Sequence, residues 1–345
     1  MPKLSVIIPT YNRIDLLKEA VESILNQTVK DIEVIIVDDG SIDETLQIVK
    51  NFPDNVRYFT QSHSGLNAAR NLAMQHAQGE FIALLDDDDL WLPFKTELQL
   101  AVMARFPDVA FVFSDFTIFD EDGIKATEGL STWNRFPGSW QVDLELRKSA
   151  QQMVLPLPPD GRDYHVYLGK LYQLLLYDVY VLPSTAIIRR SSIESDSPFP
   201  VDNIHCGDWQ FFAELSRNAP CVFLSLPTAL NRSHGDAVRL TRKSPRIRIQ
   251  DRLSLIDDVW RSDIDFMATH AAEVGRVESE QLCKLVLLCL LENRRMDALE
   301  YLERWRLLPI KRLNSKRRLL YLAACLPFSP HLLQLLRRMK QSWHS

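Results

Sequence analysis

The regular alternation of short apolar runs with helical stretches over the first 115 residues restricts the fold more than any other feature. Apolar, β-branched runs of five or six residues indicate buried strands, and apolar residues spaced three or four apart indicate helices. The predicted strands are residues 4–8, 32–37, 56–60, 81–85 and 109–113, and the predicted helices are residues 14–25, 66–77 and 93–104. This alternation predicts βαβ units, and therefore an α/β fold with a mostly parallel sheet flanked by helices.

The second part of the chain is less regular. We predict a helix over residues 165–178, strands over residues 181–189 and 222–226, and a helix that begins at Gly207. After about residue 245 the apolar spacing predicts a helical C-terminal extension. We therefore expect one domain over residues 1–240, with a nucleotide-binding half to residue 115 and an acceptor half from residue 116, and a separate extension over residues 241–345.

Polar residues follow three of the predicted strands at the point where each strand ends. The first group is Pro9, Thr10, Tyr11 and Asn12, the second is Asp38 and Asp39, and the third is Asp86, Asp87, Asp88 and Asp89. Right-handed crossovers place the carboxyl ends of parallel strands at one edge of the sheet, which is where open α/β sheets bind ligands. The three groups are therefore expected to form one site.

The four adjacent aspartates are the most unusual part of this expected site. Adjacent carboxylates repel one another unless they share a cation, and hard oxygen ligands suit Mg²⁺ or Mn²⁺ with phosphate oxygens in the remaining positions. The alternative is a solvated acidic turn that caps a helix. We expect Asp89 to act in this second way, as a cap of a helix whose first turn contains Pro93.

Several classes of protein lose support from composition. The chain has only 11 glycines and contains neither a G-x-G-x-x-G nor a Walker A motif, so the dinucleotide and P-loop sites are disfavoured. Its five cysteines show no C-x-x-C spacing, which predicts a reduced, cytoplasmic setting without a zinc site. The apolar run after Met1 is too short for a membrane span, and we predict no signal peptide.

Charge is unevenly distributed along the chain, whose net charge is -5. From residue 300 onward there are ten Lys or Arg residues and two Asp or Glu residues. A basic, leucine-rich tail can lie on an anionic membrane surface. A solvated basic face over a packed helical subdomain explains the same composition.

Five stretches in order carry a resemblance to a known family. They are Ser-Val-Ile-Ile-Pro-Thr-Tyr-Asn (5–12), Val-Asp-Asp-Gly-Ser (37–41), Gly-Leu-Asn-Ala-Ala-Arg-Asn (65–71), Gly-Glu-Phe-Ile-Ala-Leu-Leu-Asp-Asp-Asp-Asp (79–89) and Gly-Asp-Trp (207–209). With them the chain resembles the inverting family-2 glycosyltransferases, which have the A-type nucleotide-sugar-binding fold. The resemblance extends over about residues 4–235.

The resemblance implies a role for each candidate residue. The residues implied to bind the nucleotide sugar are Pro9, Thr10, Tyr11, Asn12, Asp39, Arg70, Asp86 and Asp87. Asp88 and His234 are the implied metal ligands, and Asp208 is the implied catalytic base. Gly207 departs from the pattern, since the family commonly has Glu there.

Simpler interpretations exist for most of these residues. Tyr11 can stack on a base and Asp39 can accept from a base N–H, but Tyr11 also fits an ordinary aromatic at a strand end. Arg70 fits a surface helical arginine, and His234 fits an exposed loop histidine. Asp208 also fits a helix cap. Ser184 and Thr185 either line the acceptor pocket or are ordinary strand residues.

The function that the resemblance implies is metal-dependent transfer of a sugar, with inversion, from a nucleoside-diphosphate sugar to a hydroxyl acceptor. The expected cofactor is Mg²⁺ or Mn²⁺. The expected acceptor is a glycan or lipid-linked glycan of the cell envelope, reached from the cytoplasm or from the inner face of the membrane, and no nucleic acid partner is expected. The alternatives are a catalytically silent nucleotide-sugar-binding protein and a nucleotidyltransferase.

Overall fold

The computed structural model describes residues 2–133, 144, 146–234, 245–308, 319–320, 322–324, 334 and 336. The chain divides into two compact units, residues 1–238 and residues 239–345, and each is described by itself. Most of the basic tail, for which a membrane contact is one interpretation, lies outside these residues.

The first unit is built on one mixed sheet. Its strands are β1 (Leu4–Thr10), β2 (Ile32–Asp38), β3 (Val56–Thr60), β4 (Phe81–Leu84), β5 (Leu90–Trp91), β6 (Phe111–Asp120), β7 (Gly123–Ala126), β8 (Leu146–Ser149), β9 (His165–Gly169), β10 (Ile187–Arg189) and β11 (Cys221–Arg232). Its helices are α1 (Ile14–Leu25), α2 (Thr45–Val49), α3 (Leu66–His76), α4 (Lys95–Arg105), α5 (Gly129–Trp133), α6 (Tyr172–Leu175) and α7 (Gly207–Asn218).

Strand order places the three polar groups side by side. Within the described part of the chain the order is β3-β2-β1-β4-β10-β6-β11-β9-β8, and β1 pairs in parallel with both β2 and β4. Every residue of β1 and β2 is buried, because helices cover both faces of a parallel sheet. The predicted α/β fold, with a mostly parallel sheet between helices, is confirmed.

A two-residue strand joins the acidic loop to β11. β5 pairs antiparallel with β11, with Trp91 opposite Ala229 and Leu90 opposite Leu230. Because the chain is extended here, the next helix, α4, begins only at Lys95, and the prediction that its first turn contains Pro93 is wrong. β11 itself is longer than predicted and continues to Arg232, close to the acidic loop.

Two predicted elements of the irregular middle region are also wrong. Residues 165–169 form β9 rather than helix, since they pair antiparallel with both β11 and β8, and only residues 172–175 are helical. Residues 183–185 form a 3₁₀ turn, and only residues 187–189 of the predicted strand pair in the sheet. Pro183 opens that turn, because its fixed φ angle suits a helical start and it has no N–H for a strand ladder.

The second unit is helical, as predicted for the C-terminal region. It contains α8 (Pro245–Leu255), a π-helical turn (Ile256–Arg261), α9 (Ile264–Leu291) and α10 (Arg295–Arg306). Leucines of α9 pack against Leu302 and Trp305 of α10, and the buried Glu278 pairs with Arg261 and Arg304. Among the residues that the structure describes, no helix combines the length and apolar character needed to cross a bilayer.

Candidate active site

The acidic loop, residues 86–89, connects β4 to β5 at the carboxyl edge of the sheet. Its four carboxylates have different partners. Asp86 binds Arg70, whose Nη2 lies 2.6 Å from Oδ1 of Asp86. Arg70 is only 2% exposed and lies over the ring of Phe199, so it is a buried ion-pair partner rather than a surface arginine.

Asp87 faces the first strand. Its Oδ2 accepts a hydrogen bond from the Thr10 hydroxyl at 2.8 Å, and its Oδ1 accepts from the Arg13 guanidinium at 3.1 Å. Burial raises the pKa of Asp87 to about 6, although Arg13 and the Thr10 hydroxyl favour its charged form. Asp87 therefore ties the acidic loop after β4 to the end of β1, and its carboxylate is buried.

Asp88 and His234, the two implied metal ligands, lie within hydrogen-bonding distance of each other. Nε2 of His234 lies 2.8 Å from Oδ2 of Asp88, and Arg13 lies 3.0 Å from the same oxygen. His234 is half-buried and therefore not the freely exposed loop histidine of the alternative interpretation. Arg232 approaches the same loop through its Nε, which donates to the Asp88 carbonyl oxygen, and its Nη2 pairs with Glu19.

The prediction that Asp89 caps a helix is wrong, because β5 separates it from α4. Its carboxylate is 1% exposed and accepts hydrogen bonds from the hydroxyl of Ser184, the amide of Asn231 and the backbone N–H of Arg232. Burial, together with the neighbouring charges of Asp88 and Asp86, raises the pKa of Asp89 well above its usual range. Ser184 also accepts from the backbone N–H of Asp86, so this buried serine supports the loop from below.

Arg13 was not predicted from the sequence. It lies just before α1 and bridges Asp87 and Asp88, which places one cation directly on the acidic loop. The sequence feature that could have identified Arg13 is its position directly after Pro9–Asn12, as a basic residue at a strand end expected to lie beside four aspartates. Its partners lie 74 and 75 residues away in sequence, so only the folded chain identifies them.

Tyr11 and Asp39 lie at the neighbouring strand ends. Tyr11 is 42% exposed, and its ring stacks on the imidazole of His63. Asp39 is buried and accepts from the side chain of Gln61 and from the backbone N–H groups of Ser64 and Gly65. These contacts make Asp39 more than a helix cap, since no helix begins at its position.

Asn12 and Pro9 have supporting positions. Asn12 has a φ of 53°, its backbone N–H donates to Ser41, and its side-chain oxygen accepts from the N–H of Ile42. Asn12 thus joins the loop after β1 to the loop after β2. Pro9 is buried within β1, opposite Val37 of β2.

Asp208 is the second residue of α7 and lies some 120 positions after the acidic loop in sequence. Burial raises the pKa of its carboxyl, the charge of Arg70 opposes that rise, and the charge of Asp86 adds to it. Arg70 pairs directly with Asp86, and both of these charged side chains lie near enough to Asp208 to affect its charge. Asp208 also accepts from its neighbour's N–H, that of Trp209, at 2.8 Å.

Two asparagines of α3 hold the segment that leads to Asp208. The amide of Asn67 donates to the carbonyl oxygens of Pro200 and Asn203, and Asn71 exchanges two hydrogen bonds with the backbone of Phe199. A Cβ atom placed on Gly207 would lie 2.2 Å from Nδ2 of Asn67. Gly207 stands where the family commonly has Glu because the Asn67 side chain occupies the space that a Cβ atom at position 207 would need.

The pair Asp88 and His234 fits a small divalent cation. Two neighbouring ligands at right angles around a cation, each at about 2.1 Å, are separated by roughly 3.0 Å, close to the 2.8 Å observed. Among the described residues there is no cluster of three or more His, Cys, Asp or Glu side chains with metal-binding geometry.

Comparison with known proteins agrees with this geometry. The sequence profile described as "Glycosyl transferase family 2" matches residues 5–149, which include β1 to β4 and the whole acidic loop. This part of the chain belongs to glycosyl transferase family 2. The family predicted from the five sequence stretches is therefore confirmed.

Family-2 relatives with established names share only part of their length with this chain. A 94-residue stretch is 47% identical to the GalNAc(5)-diNAcBac-PP-undecaprenol beta-1,3-glucosyltransferase of Campylobacter jejuni, covering 26% of this chain and 30% of that protein. Across the eight most similar curated relatives, the matched stretch spans 18% to 48% of the relative's length.

Solved structures extend the likeness in fold beyond the family-2 match. S. aureus TarS 1-349 in complex with UDP-GlcNAc has a TM-score of 0.61 and 19% identity, over 99% of this chain and 91% of that one. The mannosyltransferase PcManGT from Pyrobaculum calidifontis, in complex with GDP-Man and Mn²⁺, has a TM-score of 0.51 and 18% identity, over 97% and 83%. At these identities the likeness shows the fold.

Proposed function

We propose that this chain is a metal-dependent inverting glycosyltransferase that moves a sugar from a nucleoside-diphosphate sugar to a hydroxyl acceptor. The observation that supports this most is that α3 contacts both the acidic loop, through Arg70 and Asp86, and the segment that leads to Asp208, through Asn67. It links a donor-side acidic loop to a second carboxylate on another element, as a two-substrate displacement requires. We assign the transferase to residues 1–240, with donor and acceptor halves meeting near residue 115, and the extension to residues 241–345.

The donor nucleotide is proposed to bind along the ends of β1, β2 and β4. Tyr11 offers an exposed ring for the base, and Asp39 offers a carboxylate for a base N–H. Asp86 faces the ribose and diphosphate. Pro9, Thr10, Asn12, Arg70 and Asp87 hold these groups in place through the contacts described above.

Asp88 and His234 are proposed to hold Mg²⁺ or Mn²⁺. A divalent cation bound there would neutralise negative charge on the departing diphosphate. Arg13, at 3.0 Å from the same oxygen of Asp88, supplies further positive charge from the protein. The Mn²⁺ in the structure of the Pyrobaculum calidifontis mannosyltransferase supports this assignment.

Asp208 is proposed to be the catalytic base. Its carboxylate takes the proton of the acceptor hydroxyl while the oxygen attacks the anomeric carbon from the face opposite the diphosphate. The new C–O bond forms as the bond to the diphosphate breaks, so the configuration inverts. Burial raises the pKa of Asp208, which makes its carboxylate a stronger base than an exposed aspartate.

The acceptor is proposed to be a lipid-linked glycan of the cell envelope. The name of the Campylobacter jejuni relative states an undecaprenol diphosphate-linked acceptor, and this supports the class of substrate. We further propose that the enzyme works on the cytoplasmic side of the membrane and contacts its surface through basic residues after residue 300. The alternative, a nucleotide-sugar-binding protein without catalysis, predicts that the wild type binds UDP but turns over no nucleotide sugar.

The test is the substitution Asp208→Asn. Loss of a general base typically lowers kcat by about 10²–10⁴-fold, whereas UDP affinity should stay within about twofold because Asp208 lies on the acceptor side. Nucleotide-sugar turnover and UDP binding by calorimetry are measured in parallel. Asp202→Asn, an exposed aspartate in the segment before α7, is the matched control and should have wild-type kcat.

Two results would contradict the proposal. Undiminished turnover by Asp208→Asn would reject Asp208 as the base. A wild-type protein that binds UDP but turns over no nucleotide sugar, over a panel of donors with Mn²⁺, would favour the binding-only alternative. A thermal-shift panel identifies the donor for this assay, since a tight ligand raises the apparent stability.

A further inference from the structure

His63 occupies the space in which the donor base is proposed to bind. Its imidazole stacks on Tyr11 with the ring centroids 4.3 Å apart and the planes inclined by 26°. Its Nδ1 lies 2.9 Å from Oδ2 of Asp39 and 3.2 Å from the backbone oxygen of the same residue. One flat ring thus contacts both groups that the proposed function assigns to the base.

The carboxylate of Asp39 has one open acceptor position, and the imidazole of His63 covers it. Oδ1 accepts from Gln61 at 2.7 Å and from the N–H of Ser64 at 2.8 Å, while Oδ2 accepts from the N–H of Gly65 at 2.8 Å and has Nδ1 of His63 2.9 Å away. A carboxylate offers about four lone-pair positions, so these three donors and the adjacent His63 ring leave none accessible. A base N–H can therefore bind Asp39 only if one of these groups leaves.

His63 is the group that can leave at least cost. The Ser64 and Gly65 donors are backbone groups of one turn, where Gly65 has a φ of 94°, and they cannot move without remaking that turn. Gln61 is partly buried beside Asp39. The His63 side chain is 60% exposed, so rotation about its side-chain bonds moves it into solvent.

We propose that His63 holds the place of the nucleobase in the ligand-free protein and is displaced when the donor binds. The inference rests on the proposed function, since it requires a base that uses Tyr11 and Asp39. A pyrimidine or purine ring has the same two properties as the imidazole, a flat face for Tyr11 and an N–H for Asp39. His63 is then a specificity residue of the base subsite, because a base must replace its stacking and its hydrogen bond to bind.

The consequence is a cost on donor affinity. When the binding-competent conformation is only partly populated, the apparent Kd equals the intrinsic Kd divided by that fraction. If His63 occupies the subsite about 80–90% of the time, its removal improves affinity about five- to tenfold. The step after donor binding is untouched, so KM for the donor falls and kcat stays constant.

The experiment is calorimetric titration of His63→Ala and wild type with UDP and with GDP in the presence of Mn²⁺, together with steady-state kinetics. The expected result is a Kd for the better-binding nucleotide about five- to tenfold lower in the variant, with unchanged kcat. His76→Ala is the matched control, because His76 also stacks on an aromatic ring, that of Phe59 at 3.8 Å, away from Asp39. This control should bind nucleotide as wild type does.

An unchanged nucleotide affinity in His63→Ala would overturn the inference. A weaker affinity would overturn it too, because it would show that His63 contacts the bound base rather than giving way to it. Asp39→Asn separates this failure from failure of the proposed function. If the wild type binds nucleotide, Asp39→Asn loses that binding and His63→Ala does not improve it, then only the inference about His63 is rejected. Absence of binding by wild type, or binding unaffected by Asp39→Asn, rejects the proposed base subsite and the inference with it.

Discussion

The carboxylates of Asp86 to Asp89 differ in their surroundings more than in their chemistry. Asp87 and Asp89 are buried at 5% and 1% exposure, whereas the side chains of Asp86 and Asp88 are 30% and 19% exposed. The acidic loop is a turn, closed by a hydrogen bond of 3.0 Å from the Asp89 N–H to the Asp86 carbonyl oxygen, and this turn directs Asp87 and Asp89 toward the interior. The two buried residues therefore hold the loop, and the other two remain accessible to a ligand.

Asp87 makes the stability of the metal-free protein depend on pH. Its pKa is about 6 in the folded protein and near 3.8 in the unfolded chain, so between these values the folded state binds more protons. The free energy of unfolding should therefore fall as pH rises from about 4 to 6, by up to about 3 kcal/mol from this residue. Asp87→Asn should lose this part of the slope in urea unfolding at several pH values, measured with EDTA.

Asp122→Asn is the control for that series. The Asp122 side chain is 87% exposed, and its substitution should leave the pH slope unchanged. A slope in Asp87→Asn equal to that of the wild type would contradict the assignment of a raised pKa to Asp87.

The candidate residues themselves could be predicted from the sequence, but several of their partners could not. Asp86 and Asp88 stand out because polar residues at strand ends meet at one edge, whereas Asp208 and His234 were implied by the family resemblance. Arg13 escaped prediction because its contacts depend on the direction of one side chain across a loop. Asp89 was misassigned because a strand of two residues, β5, leaves no periodic pattern.

At the level of elements, α3 joins the acidic loop to the segment that leads to Asp208. Asn67, Arg70 and Asn71 are spaced three and four residues apart, so they share one face of the helix. Arg70 pairs with the acidic loop, and the two asparagines bind the backbone of residues 199–203. A single helix thus sets the distance between Asp86 and the start of α7.

Gly207→Ala tests this role of α3. Alanine in place of glycine normally stabilises a helix by about 0.5–1 kcal/mol. Here the added Cβ would meet Asn67 at 2.2 Å, and overpacking of this kind typically costs about 1–3 kcal/mol. We expect a lower melting temperature and a kcat reduced about tenfold, with unchanged UDP affinity, measured by calorimetry and steady-state turnover.

Restoring the glutamate common in the family should reduce kcat further, since its side chain is larger. The double variant Asn67→Ser, Gly207→Ala should recover part of the lost kcat because the smaller serine vacates the space. A Gly207→Ala protein that is more stable than wild type and equally active would show that Asn67 does not restrict this position.

The elements of the first 115 residues were predictable because each has a local pattern. β1, β2 and β4 are short apolar runs joined through helices, and β1 pairs in parallel with both of the others. β9 was missed because it pairs with β11 and β8, and its pairing with β11 in particular depends on residues distant in sequence. The helix pattern over residues 165–178 was overridden by this pairing. The strand predicted over residues 181–189 is shortened to β10, which pairs with β4 and β6.

At the scale of the whole molecule, the proposed membrane contact belongs to the second unit. Cutting the chain at residue 300 is a poor test, because it would divide α10 and remove the buried Leu302 and Trp305. A better variant replaces five basic residues by Gln and keeps the chain length. These residues are Lys311, Arg312, Lys316, Arg317 and Arg318.

We expect the five-Gln variant to lose flotation with vesicles that contain anionic lipid. Each Lys or Arg near such a surface contributes about 1 kcal/mol, so five together dominate a peripheral contact. Wild type should float with anionic vesicles and not with neutral ones, and its association should weaken at high salt. Equal distribution of the variant and the wild type would reject the membrane contact.

The pairing of β5 with β11 has a consequence for how such a chain can vary. The register that places Leu90 opposite Leu230 also sets Asp88 beside the end of β11. His234 follows that end by two residues and contacts Asp88. A single insertion or deletion within residues 88–91 or 229–234 would move one of these side chains to the other face of its strand. Insertions at the turns near Gly123 or Gly161 leave that register intact. Descendants of this sequence can therefore gain or lose length around those turns without disturbing the contact between Asp88 and His234.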